Sequence, residues 1–234
     1  MLVPLLRLAV GGNEERIPRA KDRCVAGSLR GLSDEQVRPT LQRYRNDVVP
    51  LIRPELADLM RERAAAGQTV LVVTASAELA VREALRDFPV TVLGTRFAAR
   101  DGRFTGAVEG AGCYGAAKVP RTHAWVNRQP APPRFVEAWS DALSDLPMLE
   151  LAEKRVWVCR EAQVARIRER DPQGEIVWGR VWGGEPVTDC EEPVLPPSPR
   201  APVIARPEAV AKAAANWRGS PRAGWIATGL RPSR

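Results

Sequence analysis

The chain has 234 residues and a mass of 25.7 kDa, enough for one sizeable core with an insertion or a tail. With 44% hydrophobic and 27% charged residues it has an ordinary globular composition, which excludes fibrous, collagenous and wholly disordered classes. The net charge of +7 is uneven: residues 196–234 carry seven Lys or Arg against one Glu, whereas 185–192 carry four acidic residues and no basic one. The excess therefore belongs to the tail, and nucleic acid is not the expected partner.

Cys24, Cys113, Cys159 and Cys190 are widely spaced, and His123 is the single histidine, a pattern that speaks against a structural zinc site or a disulfide scaffold. Met1–Val10 is apolar but short, contains Arg7 and lacks a small-residue cleavage site, so it does not read as a signal peptide. No run approaches the roughly 20 apolar residues of a membrane span, and a cytoplasmic protein is expected.

In chain order, Leu5 to about Ala66 has helical spacing, broken at Pro18, Pro39, Pro50 and Pro54. Ser33 with Gln36 predicts a capping box, and Gly67 a left-handed helix end. At Gln68 the character changes: TVLVV, SAELAVREALRDF and PVTVLG read as strand, helix and strand. TRFAARDGRFTGAV predicts a hairpin turning at Asp101-Gly102. KVPRTHAWVNR reads as a helix, RFVEAW as a strand, SDLPMLELAEK as a helix and RVWVC as a strand, with GEIVWGRVW as a marginal edge strand. This alternation predicts an α/β fold with a mostly parallel, doubly wound sheet. Nine of the 21 prolines fall in 185–234, which reads as an extended or disordered tail with one short helix around Glu208–Trp217. The buried-strand positions of Trp139, Trp157 and Trp178 mark them as core. His123 reads as a surface or half-buried residue, and Cys113 and Cys159 as packing residues.

Three polar clusters fall at the ends of predicted parallel strands, where open α/β sheets bind ligands. They are Thr74-Ala75-Ser76, Lys118, and Asp141 with Asp145. Singly each has a structural explanation: a helix cap, a solvated lysine, a turn followed by a cap. Together, a hydroxyl, an ammonium and two carboxylates supply the parts for handling a phosphoryl group with a hard cation such as Mg²⁺.

At these residues the chain resembles the haloacid dehalogenase (HAD) superfamily, in its phosphoserine-phosphatase-like branch. VLVVTAS, DGRFTGAVEGAGCYGAAK and EAWSDALSDLPMLELA are similar to motifs II, III and IV, and the resemblance spans roughly 3–165. It implies a Mg²⁺-dependent phosphomonoesterase acting on a small phosphorylated substrate. Thr74 would hydrogen-bond the phosphoryl group, with Ser76 beside it, and Lys118 would be the motif III cation. Asp141 would bind Mg²⁺, and Asp145 would hold the metal shell or orient Lys118. Residues 1–55 would form a helical cap segment, 56–184 the α/β core, and 185–234 the basic tail.

The sequence departs from the family in two places. Ser140 stands where glycine ordinarily precedes the metal-binding aspartate, and Ala142 follows it. More severely, no Asp-x-Asp-x-Thr precedes the cap, so the attacking carboxylate and the general acid of the family are absent. Asp22, Asp34 and Asp47 lie in helical sequence and make poor substitutes. The family's motif I strand is central, between those before Thr74 and Asp141, so its loss should open the sheet. A translation start placed too far downstream is the favoured explanation, because MLVPLLRLAVGG resembles the segment that follows motif I. A catalytically dead phosphate- or metal-binding protein and a basic-tail interaction module are the alternatives.

Overall fold

The computed structural model describes residues 16–159, 161–178 and 227–231. Met1–Val10, the Pro-rich run, Cys190 and the helix expected at Glu208–Trp217 lie outside them. Three helices come first: α1 (Arg16–Leu29), α2 (Asp34–Val48) and α3 (Pro54–Ala65). The expected capping box starts α2, where Gln36 N–H donates to Ser33 Oγ and Ser33 N–H donates to the Gln36 side chain. Gly67 follows α3 at φ 73°, a left-handed conformation that glycine adopts without cost from a Cβ.

The remaining elements are β1 (Thr69–Ala77), α4 (Glu78–Ala84), β2 (Val90–Thr95), β3 (Phe97–Arg100) and β4 (Arg103–Val108). They continue with α5 (Lys118–Val126), β5 (Arg134–Ser140), α6 (Leu146–Leu149), β6 (Lys154–Cys159), α7 (Glu161–Arg170), β7 (Glu175–Trp178) and β8 (Ala227–Arg231). The hairpin β3–β4 turns where the sequence predicts. Asp101 and Gly102 both have positive φ, 51° and 71°, as a tight two-residue turn on right-twisted strands requires.

Six strands form one sheet in the order β2-β1-β8-β5-β6-β7. The pairs β1/β2, β5/β6 and β6/β7 are parallel. Both faces of β1 are covered, which is why its run reads as continuously apolar. Leu71 and Val73 point into a cluster with Ala138, Met148, Leu149, Trp157 and Ile167, packed with side chains of α5 and α7. Val70 and Val72 point the other way, against Met60 of α3 and Val81 and Leu85. Across the sheet, Arg63 on α3 reaches the buried Glu137 of β5 with two hydrogen bonds, 2.6 and 3.2 Å. The helices α1 and α2 form a separate cluster with the hairpin through Ala26, Leu29, Val37, Phe97 and Phe104.

The centre of the sheet requires a correction. Residues 227–231, expected to belong to an extended or disordered tail, form β8 between β1 and β5, antiparallel to both. Val70 pairs with Gly229 and Val72 with Ala227 on one side, and Phe135 with Leu230 on the other. The position that the resemblance leaves vacant is therefore filled from the far end of the chain. Two rows of backbone donors and acceptors facing a gap need partners, and main chain of almost any sequence can supply them. The segment ATGLR has no apolar alternation, so nothing in its pattern announces a strand. A second omission is α7, whose sequence EAQVARIRER buries one side chain, Ile167, in the core.

Candidate active site

Because β8 is antiparallel to both β1 and β5, those two strands run in the same direction and end at the same edge of the sheet. Thr74 lies near the end of β1, and β5 closes on Ser140, immediately before Asp141. Lys118 opens α5, whose first residue is delivered to this edge by the loop that follows the hairpin. The predicted residues therefore come from one side of one sheet.

Contacts are closest around Asp145. Lys118 Nζ lies 2.7 Å from Asp145 Oδ1, and both side chains are about 3% exposed. The other carboxylate oxygen accepts the Ser140 hydroxyl at 2.8 Å. Ser140 Oγ in turn accepts the Ala142 N–H at 3.1 Å, and a 3-10 turn over Leu143–Asp145 brings the chain back so that Asp145 faces Ser140. With one oxygen on Lys118 and the other on Ser140, Asp145 is arranged to orient the ammonium. Ser140, noted in the sequence only as a departure, is the residue that fixes the Asp145 carboxylate.

Asp141 is placed differently. Its Oδ1 is buried and has no hydrogen-bond partner among the described residues. Burial raises its pKa, a backbone hydrogen bond opposes this, and the Asp145 charge adds to the rise while Lys118 and Arg53 counter it. A buried carboxylate oxygen with nothing to accept is poised for a cation. Among the described residues no three His, Cys, Asp or Glu converge into a cage. Mg²⁺, which commonly takes one or two carboxylates and completes its shell with water and phosphate oxygens, fits a site of this kind through Asp141.

Thr74 is 2% exposed and its Oγ1 accepts the Ser76 N–H at 3.1 Å, a local turn that holds the end of β1. Ser76 is half-buried two residues on. Cys113 is buried, and desolvation pushes its thiol up to about 11, so it stays protonated at neutral pH. Asp34 and Asp47 are exposed on α2. Asp22 is 6% exposed and packs against Gly112, where a Cβ would collide with its carboxylate. His123 is exposed, while Cys159 and Trp157 are buried in the core as the sequence predicts. Sequence reasoning passed over Lys21 of α1, whose Nζ donates to Ala75 O at 2.7 Å, beside Thr74.

The sequence model of haloacid dehalogenase-like hydrolases matches residues 3–150. The chain belongs to this family. Its HAD-like α/β fold is also seen in a crystal structure of a protein of unknown function from Bordetella pertussis Tohama I, with a TM-score of 0.54 and 23% identity. That likeness covers 62% of this chain and 67% of the other. Two proteins of Mycobacterium tuberculosis, a probable phosphatase and an uncharacterized protein, are each 32% identical over 145 residues, or 61% of this chain. The chain spans about half the length of these curated relatives, 50% in each case. Among the described residues no helix is long and apolar enough to cross a membrane.

Proposed function

We propose that this HAD-family chain carries the phosphate-handling half of a Mg²⁺-dependent phosphomonoesterase, and that the 234 residues bind phosphate and Mg²⁺ without turning substrate over. The observation that carries the reading is the buried Lys118–Asp145 pair at 2.7 Å beside an Asp141 oxygen with no described partner. An ammonium held in a dry site by a fixed carboxylate can stabilise charge on phosphoryl oxygens without reorganising. Thr74 supplies a hydroxyl near the end of β1, which runs in the same direction as β5 on the far side of β8. Asp145 and Ser140 position the cation rather than touch the phosphoryl group. Mg²⁺, when bound, would neutralise charge on the phosphoryl oxygens. The relative described as a probable phosphatase supports this class of substrate.

Absence of turnover is proposed because Asp-x-Asp-x-Thr, the motif that supplies the family's attacking carboxylate and its partner acid, does not occur in the sequence. The test has two parts on the purified 234-residue chain. Calorimetry should show Mg²⁺ and inorganic phosphate binding, while a para-nitrophenyl phosphate assay should stay at the buffer rate. Hydrolysis at ordinary enzyme efficiency would overturn the proposed inactivity. Failure to bind either ligand would overturn the phosphate-handling role.

A further inference from the structure

Helix α1 brings a second ammonium to the edge where β1 ends. Lys21 is half-buried, its side chain 31% exposed, with Nζ 2.7 Å from Ala75 O and 3.9 Å from Asp22 Oδ1. Ala75 follows Thr74 directly. Its carbonyl also accepts the Thr95 hydroxyl at 3.3 Å, and Thr95 Oγ1 accepts the Cys113 N–H at 3.0 Å. Lys21 is thus bound to the end of β1 that carries Thr74 and, through Thr95, to the segment that leads to Lys118. Asp22 packs on Gly112 in that same segment.

The charges around Lys21 are poorly matched. Lys118 has a close, buried carboxylate, whereas the partners of Lys21 are a neutral carbonyl and an acid at the limit of an ion pair. Burial lowers the Lys21 pKa, Asp22 raises it, and the charge of Lys118 pushes it down again, so the two ammoniums sense each other. A partly desolvated cation with a loose counter-ion is a setting that an anion would relieve. Charge-assisted bonds to phosphate oxygens are also stronger than a bond to a backbone carbonyl.

We propose that Lys21 is a second phosphoryl-binding cation of this site, one that leaves the Ala75 carbonyl to bind a phosphoryl oxygen opposite Lys118. The inference rests on the phosphate-handling role proposed above and deepens it. It makes the first described helix part of the binding site, and it favours a compact phosphomonoester that can fit between α1 and the sheet edge.

The experiment measures inorganic phosphate binding by calorimetry on the whole chain and on four single variants: Lys21→Met, Lys21→Arg, Lys118→Met and Arg23→Met. Arg23 is exposed on the same helix and controls for the loss of one positive charge. Lys21→Met should weaken phosphate binding roughly tenfold or more. Lys21→Arg should keep it within about threefold, and Arg23→Met should leave it unchanged. Thermal midpoints without phosphate check that Lys21→Met and Lys118→Met are folded; where one is not, the Gln variant at that position takes its place. Wild-type affinity in the folded Lys21 variant, with binding lost in Lys118→Met, overturns the role of Lys21 alone. No binding by the unmodified chain overturns the phosphate-handling role as well.

Discussion

At the scale of single residues, Lys118 and Asp145 place the proposed phosphate handling and the stability of the fold on the same atoms. Each has lost its water, so truncating one leaves the other as an uncompensated buried charge. Lys118→Met should destabilise the fold by about 3–5 kcal/mol. Adding Asp145→Leu should recover much of that loss, because two apolar side chains replace a desolvated pair. A double-mutant cycle by denaturant unfolding reads this directly: no recovery in the double variant would mean the cost lies elsewhere.

Asp141 behaves in the opposite sense. Burial raises its pKa, so its ionised form is less at home in the folded than in the unfolded chain, and at neutral pH it detracts from stability. Asp141→Asn should therefore raise the melting temperature in EDTA, and it should abolish any further rise on adding Mg²⁺. A drop in EDTA would show that Asp141 has an unseen structural partner. The motifs brought Thr74, Lys118, Asp141 and Asp145 into view because they are short and have fixed spacing. Lys21 and Ser140 were not legible as site residues, since their significance lies in contacts with Ala75 and Asp145 that no local pattern encodes.

At the scale of elements, the far end of the sheet depends on one carboxylate. Asp171, just after α7, accepts Arg155 Nε at 2.9 Å, Arg155 Nη2 at 2.8 Å and Trp157 Nε1 at 2.8 Å. It links the end of α7 to two positions of β6, Arg155 and Trp157, that lie on the same face of the strand. The Arg155 hydrogen bonds hold the Asp171 carboxyl below its ordinary value of 3.8, with the Trp157 N–H acting in the same direction. A depressed carboxyl gives stability that is fully present above that ordinary value and lost as pH falls through the folded one. Asp171→Asn should cost about 1.5–3 kcal/mol at pH 7 and progressively less at acid pH, as the wild-type carboxylate takes up its proton. Chemical unfolding at neutral and at acid pH checks this, and an equal cost at both would remove the charge from the explanation.

Periodicity was a good guide to elements whose side chains are driven into a core on a regular repeat. The runs TVLVV, PVTVLG, RFVEAW and RVWVC became β1, β2, β5 and β6, with GEIVW supplying the edge strand β7. The hairpin was legible because Asp-Gly has the chemistry its turn demands. Capping was legible at Ser33 for the same reason, and Ser33→Ala should cost about 1 kcal/mol. The helix α7 escaped because it has little more than Ile167 to declare its inner face.

At the scale of the whole molecule, β8 is the strand that joins β2-β1 to β5-β6-β7. The sequence gives a reason to expect a gap at this place and no means of seeing how it is filled. Pairing between Val70 and Gly229 is a long-range, main-chain event to which side-chain pattern is nearly blind. Thr228→Pro removes a backbone donor from a central strand, where proline is not tolerated. Hydrogen exchange should then accelerate at amides of both β1 and β5, while those between β6 and β7 change less. A Cys pair at Thr69 and Leu230, which face each other in register, should oxidise to a disulfide, whereas a Thr69 and Thr228 pair should not.

That arrangement also sets an order of events during synthesis. While a ribosome is still extending the chain, β1 and β5 have already emerged with their inward-facing apolar residues, yet the segment that knits them together has not been made. The nascent polypeptide must therefore keep two open, sticky strand borders apart until residues 227–231 have been made, a condition under which chaperone attendance has the most to contribute.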